Sequence, residues 1–151
     1  MNILVSACLL GTPCRYDGTG KLEPALERLR AQGHTLVPAC PEVLGGLPTP
    51  RPPAERQPDG RVVTREGADV TAEYRAGAEK ALALAQEHGC TCAVLKERSP
   101  SCGRGQIYDG TFSHTLIPGS GVAAQLLEAQ GILVYGESRL DELIGQLSAE
   151  G

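Results

Sequence analysis

NILVSACLLGTPCRYDG, residues 2–18, decides how the rest of the chain is read. Asn2 to Ser6 is a short apolar run, as expected of a strand buried on both faces. Cys8 follows two residues later, with Gly11, Pro13, Cys14 and Gly18 close behind. Glycine leaves backbone N–H groups uncovered and lets the chain approach a ligand. The strand therefore reads as ending in a binding loop that carries a thiol. Val5-Ser6-Ala7-Cys8 also resembles the lipid-attachment box of an exported protein. That reading needs a basic leader and about 7–15 apolar residues ahead of the box. Only Met1 to Leu4 stand there, without Lys or Arg, so a cytoplasmic protein is expected.

The pattern continues outward from this strand. Leu22 to Ala31 reads as a helix, with Pro24 near its first turn, Leu26 and Leu29 on its inner face and Gly33 as its stop. Thr35 to Ala39 is a second strand. Seven of the eleven prolines fall between 38 and 58, which predicts loop rather than helix over 41–60. Pro58-Asp59-Gly60 is a turn, and Arg61 to Thr64 one arm of a small hairpin. Thr71 to His88 is the clearest helix, with Thr71 or Asp69 as its cap and Gly89 as its end. Cys92 to Lys96 is a third strand. Residues 97–120 are polar and Gly-rich, with a hairpin around Tyr108-Asp109-Gly110-Thr111. Ser120 caps a helix over 121–129, Ile132 to Tyr135 is a fourth strand, and Ser138 with Asp141 caps a last helix ending near Leu147. This alternation predicts an α/β fold: a small parallel sheet of about four strands flanked by helices, Rossmann-like, with two long irregular insertions. Irregular segments of that length are commonly functional.

A chain of 151 residues is the size of one domain, 1–151. It can bury about 68–70% of its unfolded surface, enough to fold without disulfide staples. Aromatic residues are 3% and Trp is absent, so Leu, Val, Ala and Ile must build the core. A net charge of −4 argues against general nucleic-acid binding, which draws its affinity from a basic face. No apolar run approaches the ~18 residues of a membrane span. Pairing into a homodimer is left open.

Six cysteines, at 8, 14, 40, 90, 92 and 102, are many for a chain expected in the cytosol, where disulfides are rare and thiols serve metals or redox chemistry. Cys8 lies two residues past a predicted strand, Cys40 directly after one, and Cys102 six residues past one. Carboxyl ends of parallel strands share one edge, where ligands of open α/β sheets bind. Those three thiols are therefore expected to meet. Cys90 and Cys92, at the start of the third strand, fall on the opposite edge and read as packing. Cys14 is a fourth ligand, a resolving thiol or neither. Three soft ligands without a C-x-x-C pair suit catalytic zinc or an iron–sulfur cluster. A zinc hydrolase or deaminase, a non-catalytic cluster protein and a metal-free thiol redox protein all remain open.

Cys8-Leu9-Leu10-Gly11, Arg15-Tyr16-Asp17-Gly18, Cys40-Pro41-Glu42 with Gly45-Gly46-Leu47-Pro48 and Pro50-Arg51, then Lys96 and Ser99-Pro100-Ser101-Cys102-Gly103, follow one another in an order that resembles the thiouracil desulfidase family. The resemblance covers nearly the whole chain. It implies a 4Fe-4S cluster held by Cys8, Cys40 and Cys102 with one iron open. It implies non-redox removal of sulfur from a thiolated pyrimidine such as 2-thiouracil, 4-thiouracil or 4-thio-UMP. Glu42 and Ser99 would then be catalytic, and Ser101, Arg15 and Arg51 would hold substrate, with the choice between the Ser99 and Ser101 hydroxyls left open. The plain readings are that Glu42 is a helix cap or a surface charge and that Ser99 shapes the turn before Pro100. Gly119-Ser120-Gly121 offers a weak phosphate site ahead of a helix. His34, His88 and His114 receive no role.

Overall fold

The computed structural model describes residues 1–150, with side chains described through Ser148. In chain order the elements are β1 (Asn2–Ser6), α1 (Glu27–Ala31), β2 (Thr35–Ala39), α2 (Pro41–Leu44), β3 (Ala54–Arg56) and β4 (Val62–Thr64). There follow α3 (Thr71–Glu87), β5 (Cys92–Leu95), β6 (Gln106–Tyr108), β7 (Leu116–Pro118), α4 (Val122–Ala129), β8 (Leu133–Gly136) and α5 (Leu140–Glu150). Four strands form one parallel sheet in the order β2-β1-β5-β8. β3/β4 and β6/β7 are separate antiparallel hairpins inside the two irregular insertions.

The apolar run of β1 is continuous because both of its faces are covered. Ile3 and Val5 pack with Leu26 and Leu29, beside and on α1, and with Leu140, Leu143 and Ile144 of α5. Leu4 points the other way, toward Ala85 of α3 and Ala124 and Leu127 of α4. Successive strand residues face opposite sides, so a three-residue stretch anchors both helical layers. The expected α/β class, with helices on both sides of a parallel sheet, is what the chain adopts.

Several boundaries differ from the sequence reading. Pro24 opens a 3-10 turn, Pro24–Leu26, that leads into a short α1. The proline-rich stretch 41–60 is not loop throughout: Pro41 starts the single turn α2, since a proline at the first helical position forfeits no hydrogen bond. The second hairpin has no tight turn at Asp109-Gly110; its strands are joined by residues 109–115. Asp69 accepts the N–H of Thr71 at 2.9 Å and secures the entry to α3. Ser120 does not cap α4. Gly121 takes the capping position, and the N–H groups of Gly121, Val122 and Ala123 go to the carbonyls of Gly103, Pro100 and Ser101. Those donors are spent, which removes the phosphate reading of Gly119-Ser120-Gly121. Ser138 does not cap α5 either; its N–H and hydroxyl bind Glu97 at 2.9 and 2.7 Å.

Candidate metal centre and active site

Each of the three expected ligand thiols stands on a loop at the carboxyl edge, and each loop is fixed by a different device. Cys8 sits in a 3-10 turn, Ala7–Leu10, closed by Gly11 at φ 93. The Cys8 carbonyl accepts the N–H of Lys21 at 2.8 Å. Cys40 caps the start of α2 in extended conformation. That turn lies hard against α3: a Cβ on Gly77 would fall 1.7 Å from the Pro41 carbonyl oxygen, and one on Gly45 2.0 Å from that of Glu73. Two glycines thus let the Cys40-Pro41-Glu42 segment settle at the sheet edge. Cys102 lies in the loop whose carbonyls cap α4. A Cβ on Gly121 would come 2.4 Å from the Ser101 carbonyl carbon, so loop and helix also meet backbone to backbone.

These loops enclose a cavity of about 360 Å³ lined by all eight residues expected to act: Cys8, Cys40, Cys102, Glu42, Ser99, Ser101, Arg15 and Arg51. Cys14 lines it as well. Cys90 and Cys92 do not; they pack in the core, as expected of the opposite edge. Burial, reinforced by the charge of Cys40, pushes the Cys8 thiol up to about 11 and the Cys14 thiol to about 12. Cys102 is pushed to about 12 by burial, against the pull of the Ser6 and Ser101 hydroxyls. Buried thiols that repel one another when ionised become stable thiolates only around a cationic centre. The donor set is soft and sulfur-only, with Ser101 Oγ 3.5 Å from Cys102 Sγ. Such a set fits an iron–sulfur centre. Among the described residues no three His, Cys, Asp or Glu side chains lie close enough to hold a single metal ion.

Beside the thiols stands a buried ion pair. Arg51 Nε donates to Glu42 Oε2 at 2.8 Å, and Nη2 reaches the same oxygen. The other guanidinium donors go to the Pro48 carbonyl at 3.2 Å, Thr49 Oγ1 at 3.1 Å and the Cys14 carbonyl at 3.0 Å. A guanidinium has five N–H donors, and all five are engaged by the protein. Arg51 thereby fastens Glu42 and the Cys14 loop at the cavity wall. Burial pulls its pKa down, but Glu42, Cys40 and Tyr74 together hold it above its ordinary value. Glu42 is neither a surface charge nor a cap. Its Oε1 accepts Ser101 Oγ at 3.1 Å, and Tyr74 of α3 faces it, with a phenol pushed far up by burial and by that carboxylate.

The two serines make different contacts. Ser99 Oγ accepts the N–H groups of Ser101 and Cys102, both at 3.1 Å, and lies 3.0 Å from Ser101 Oγ. Both lone pairs of Ser99 are therefore used in holding the Cys102 loop. Ser101 touches Glu42 and Cys102 directly. Arg15 lines the cavity, and its charge pulls against the upward shift of Cys8. Tyr74 and Gly77 escaped the sequence reading, and Gly45 entered it only as part of a motif. A glycine in the middle of the longest helix was the one available sign, because mid-helix glycine is costly unless another backbone comes close.

Fold and site together define an α/β protein with a thiol-lined cavity at the carboxyl edge of a parallel sheet. The 2-thiouracil desulfurase family matches residues 3–139. The uncharacterized protein YbbK of Bacillus subtilis (strain 168) is 44% identical, covering 94% of this chain and 99% of YbbK. A solved structure of TudS, described as a 4Fe-4S-dependent thiouracil desulfidase, is 52% identical, with a TM-score of 0.90 over 98% of both chains. The chain belongs to the 2-thiouracil desulfurase family. Among the described residues no helix is long and apolar enough to cross a membrane.

Proposed function

We propose that residues 1–151 act as one cytoplasmic desulfidase, which converts a thiolated pyrimidine and water to the oxo pyrimidine and hydrogen sulfide without net electron transfer. The observation that carries the reading is the meeting of Cys8, Cys40 and Cys102 beside the buried Glu42–Arg51 pair in one cavity. Family membership and the likeness to TudS support it. Cys8, Cys40 and Cys102 would hold the 4Fe-4S cluster. When bound, the cluster supplies a Lewis-acidic iron with an open position for the thiocarbonyl sulfur, which makes the attached ring carbon electrophilic. Ser101 takes the proton of the attacking water as it passes its own to Glu42 Oε1. Arg51 balances the charge of Glu42 and fixes its orientation. Ser99 keeps Ser101 and Cys102 in register.

The test is chemical. Protein purified without air should contain about four iron and four labile sulfide. With 2-thiouracil or 4-thio-UMP it should release sulfide and the oxo pyrimidine without added reductant. A colourless protein containing one zinc, or turnover that needs an electron donor, would overturn the reading.

A further inference from the structure

The chain has one Phe and four Tyr. Four of those five rings, Tyr16, Tyr74, Tyr108 and Phe112, line the thiol cavity, while the sheet core takes only Tyr135. Rings bury large apolar areas and ordinarily serve the core, so their gathering at one site points to a ligand with a flat face. Phe112 is the most constrained of them. It stands on the 109–115 connection between β6 and β7, in the left-handed region at φ 58, which an aromatic residue enters only when its surroundings impose it. The surroundings are identifiable. Glu55 of β3 is buried, and its Oε1 accepts the N–H groups of Gly110 at 2.9 Å and Phe112 at 3.2 Å. Gln57 Nε2 donates to the Gly110 carbonyl at 3.1 Å. The Arg65 guanidinium lies over the Phe112 ring, 5.7 Å from its centroid, a cation–π contact. One hairpin thus locks the tip of the other at the cavity, with a buried carboxylate committed to holding it there.

We propose that Phe112 is the stacking surface for the planar ring of the substrate, and that Glu55 is the residue that positions it. The inference rests on the desulfidase reading above. The substrate ring lies on the face of Phe112 that Arg65 leaves uncovered, with its thiocarbonyl turned toward the thiols. Stacking tolerates varied ring substituents but requires flatness. Conjugated thiopyrimidines are therefore accepted as a class, and reduced, puckered rings are disfavoured.

The test uses holoprotein prepared without air and two probes, 2-thiouracil and 5,6-dihydro-2-thiouracil. Binding is followed by calorimetry and turnover by sulfide release. Wild-type protein should prefer the flat ring. Phe112→Ala should weaken binding of 2-thiouracil and raise its KM by roughly 5- to 20-fold. Its kcat and iron content should hold, its affinity for the dihydro probe should not change, and Phe112→Tyr should restore the preference. Glu55→Ala should raise KM in the same way, and Glu55→Gln, which keeps an acceptor oxygen, should rescue it. Wild-type affinity and preference in Phe112→Ala overturn the proposal, as does a fall in kcat at unchanged KM. Wild-type protein that binds the flat ring selectively but releases no sulfide defeats the desulfidase reading and leaves the stacking surface standing. Protein that binds neither probe defeats both.

Discussion

At the amino edge of the sheet, Cys90 and Cys92 are 7% and 4% exposed and pack among Leu, Ala and Val side chains. At the carboxyl edge, Cys8, Cys40 and Cys102 line a cavity with Glu42, Arg51 and Ser101. Surface exposure is nearly the same at Cys90 and at Cys102, so exposure alone does not separate them. Cys90 is raised by burial alone. The thiols of the other edge also feel one another and the groups around them. On the proposed reading, a cysteine is a small hydrophobe at one end of a parallel strand and a ligand at the other. The direction of the strands decides which, because loops at the carboxyl edge converge on the crevice where the connections part to either side.

The sharpest way to break this contrast is to exchange serine for cysteine on both edges. Cys8→Ser, Cys40→Ser or Cys102→Ser should drop iron from about four per chain to below about one, because the cluster loses a corner. Cys90→Ser and Cys14→Ser should keep it. Iron and labile-sulfide analysis decides, and loss of the cluster in Cys90→Ser would end the contrast. The next effect is chemical. Glu42→Gln should keep the cluster and lower kcat by about 10²–10⁴-fold, the scale of general acid–base help. An unchanged sulfide release rate in that variant would remove Glu42 from the chemistry.

Third comes stability at the carboxyl edge. The Arg51 and Glu42 side chains are 5% and 11% exposed, and removing one partner of a buried pair costs about 3–5 kcal/mol. Arg51→Ala should lose that much in denaturant unfolding, and Arg51→Met with Glu42→Leu should lose clearly less. A smaller loss in the single variant would show the pair to be solvated. Gly77→Ala should cost about 1–3 kcal/mol through overpacking. Its Tm should fall by roughly 2–4 °C per kcal/mol, and its kcat should fall as Glu42 is displaced. The smallest effect belongs to the amino edge: Cys90→Ala should cost at most about 1 kcal/mol with turnover unchanged.

Much of this was legible from local pattern. β1 and β5 are apolar runs because both of their faces are covered, and the run itself is the signal. The long α3 shows its Ala- and Leu-rich interior and its terminal glycine. Caps were less legible. Ser120 and Ser138 have the chemistry of caps, yet their helices begin against Gly103 and Glu97, partners no local window contains. Arg51 was legible as a charge near the site but not as a charge already spent. Its partners come from Glu42, Pro48, Thr49 and Cys14, and only the fold brings these together. Glu55 and Phe112 gave no local sign, since two hairpins must dock before a carboxylate on one can bind the backbone of the other.

The sequence by itself determined the strand-and-helix alternation and the placement of thiols just past three strand ends. Both follow from short-range rules: side-chain periodicity, and the need of a chain leaving a buried strand to turn. Only the tertiary structure decided which polar groups are already satisfied and which remain for a ligand. Hydrogen-bond valence is counted across loops 30 to 60 residues apart, as between Ser101 and Glu42 or Phe112 and Glu55, and it closes only once those loops share a wall.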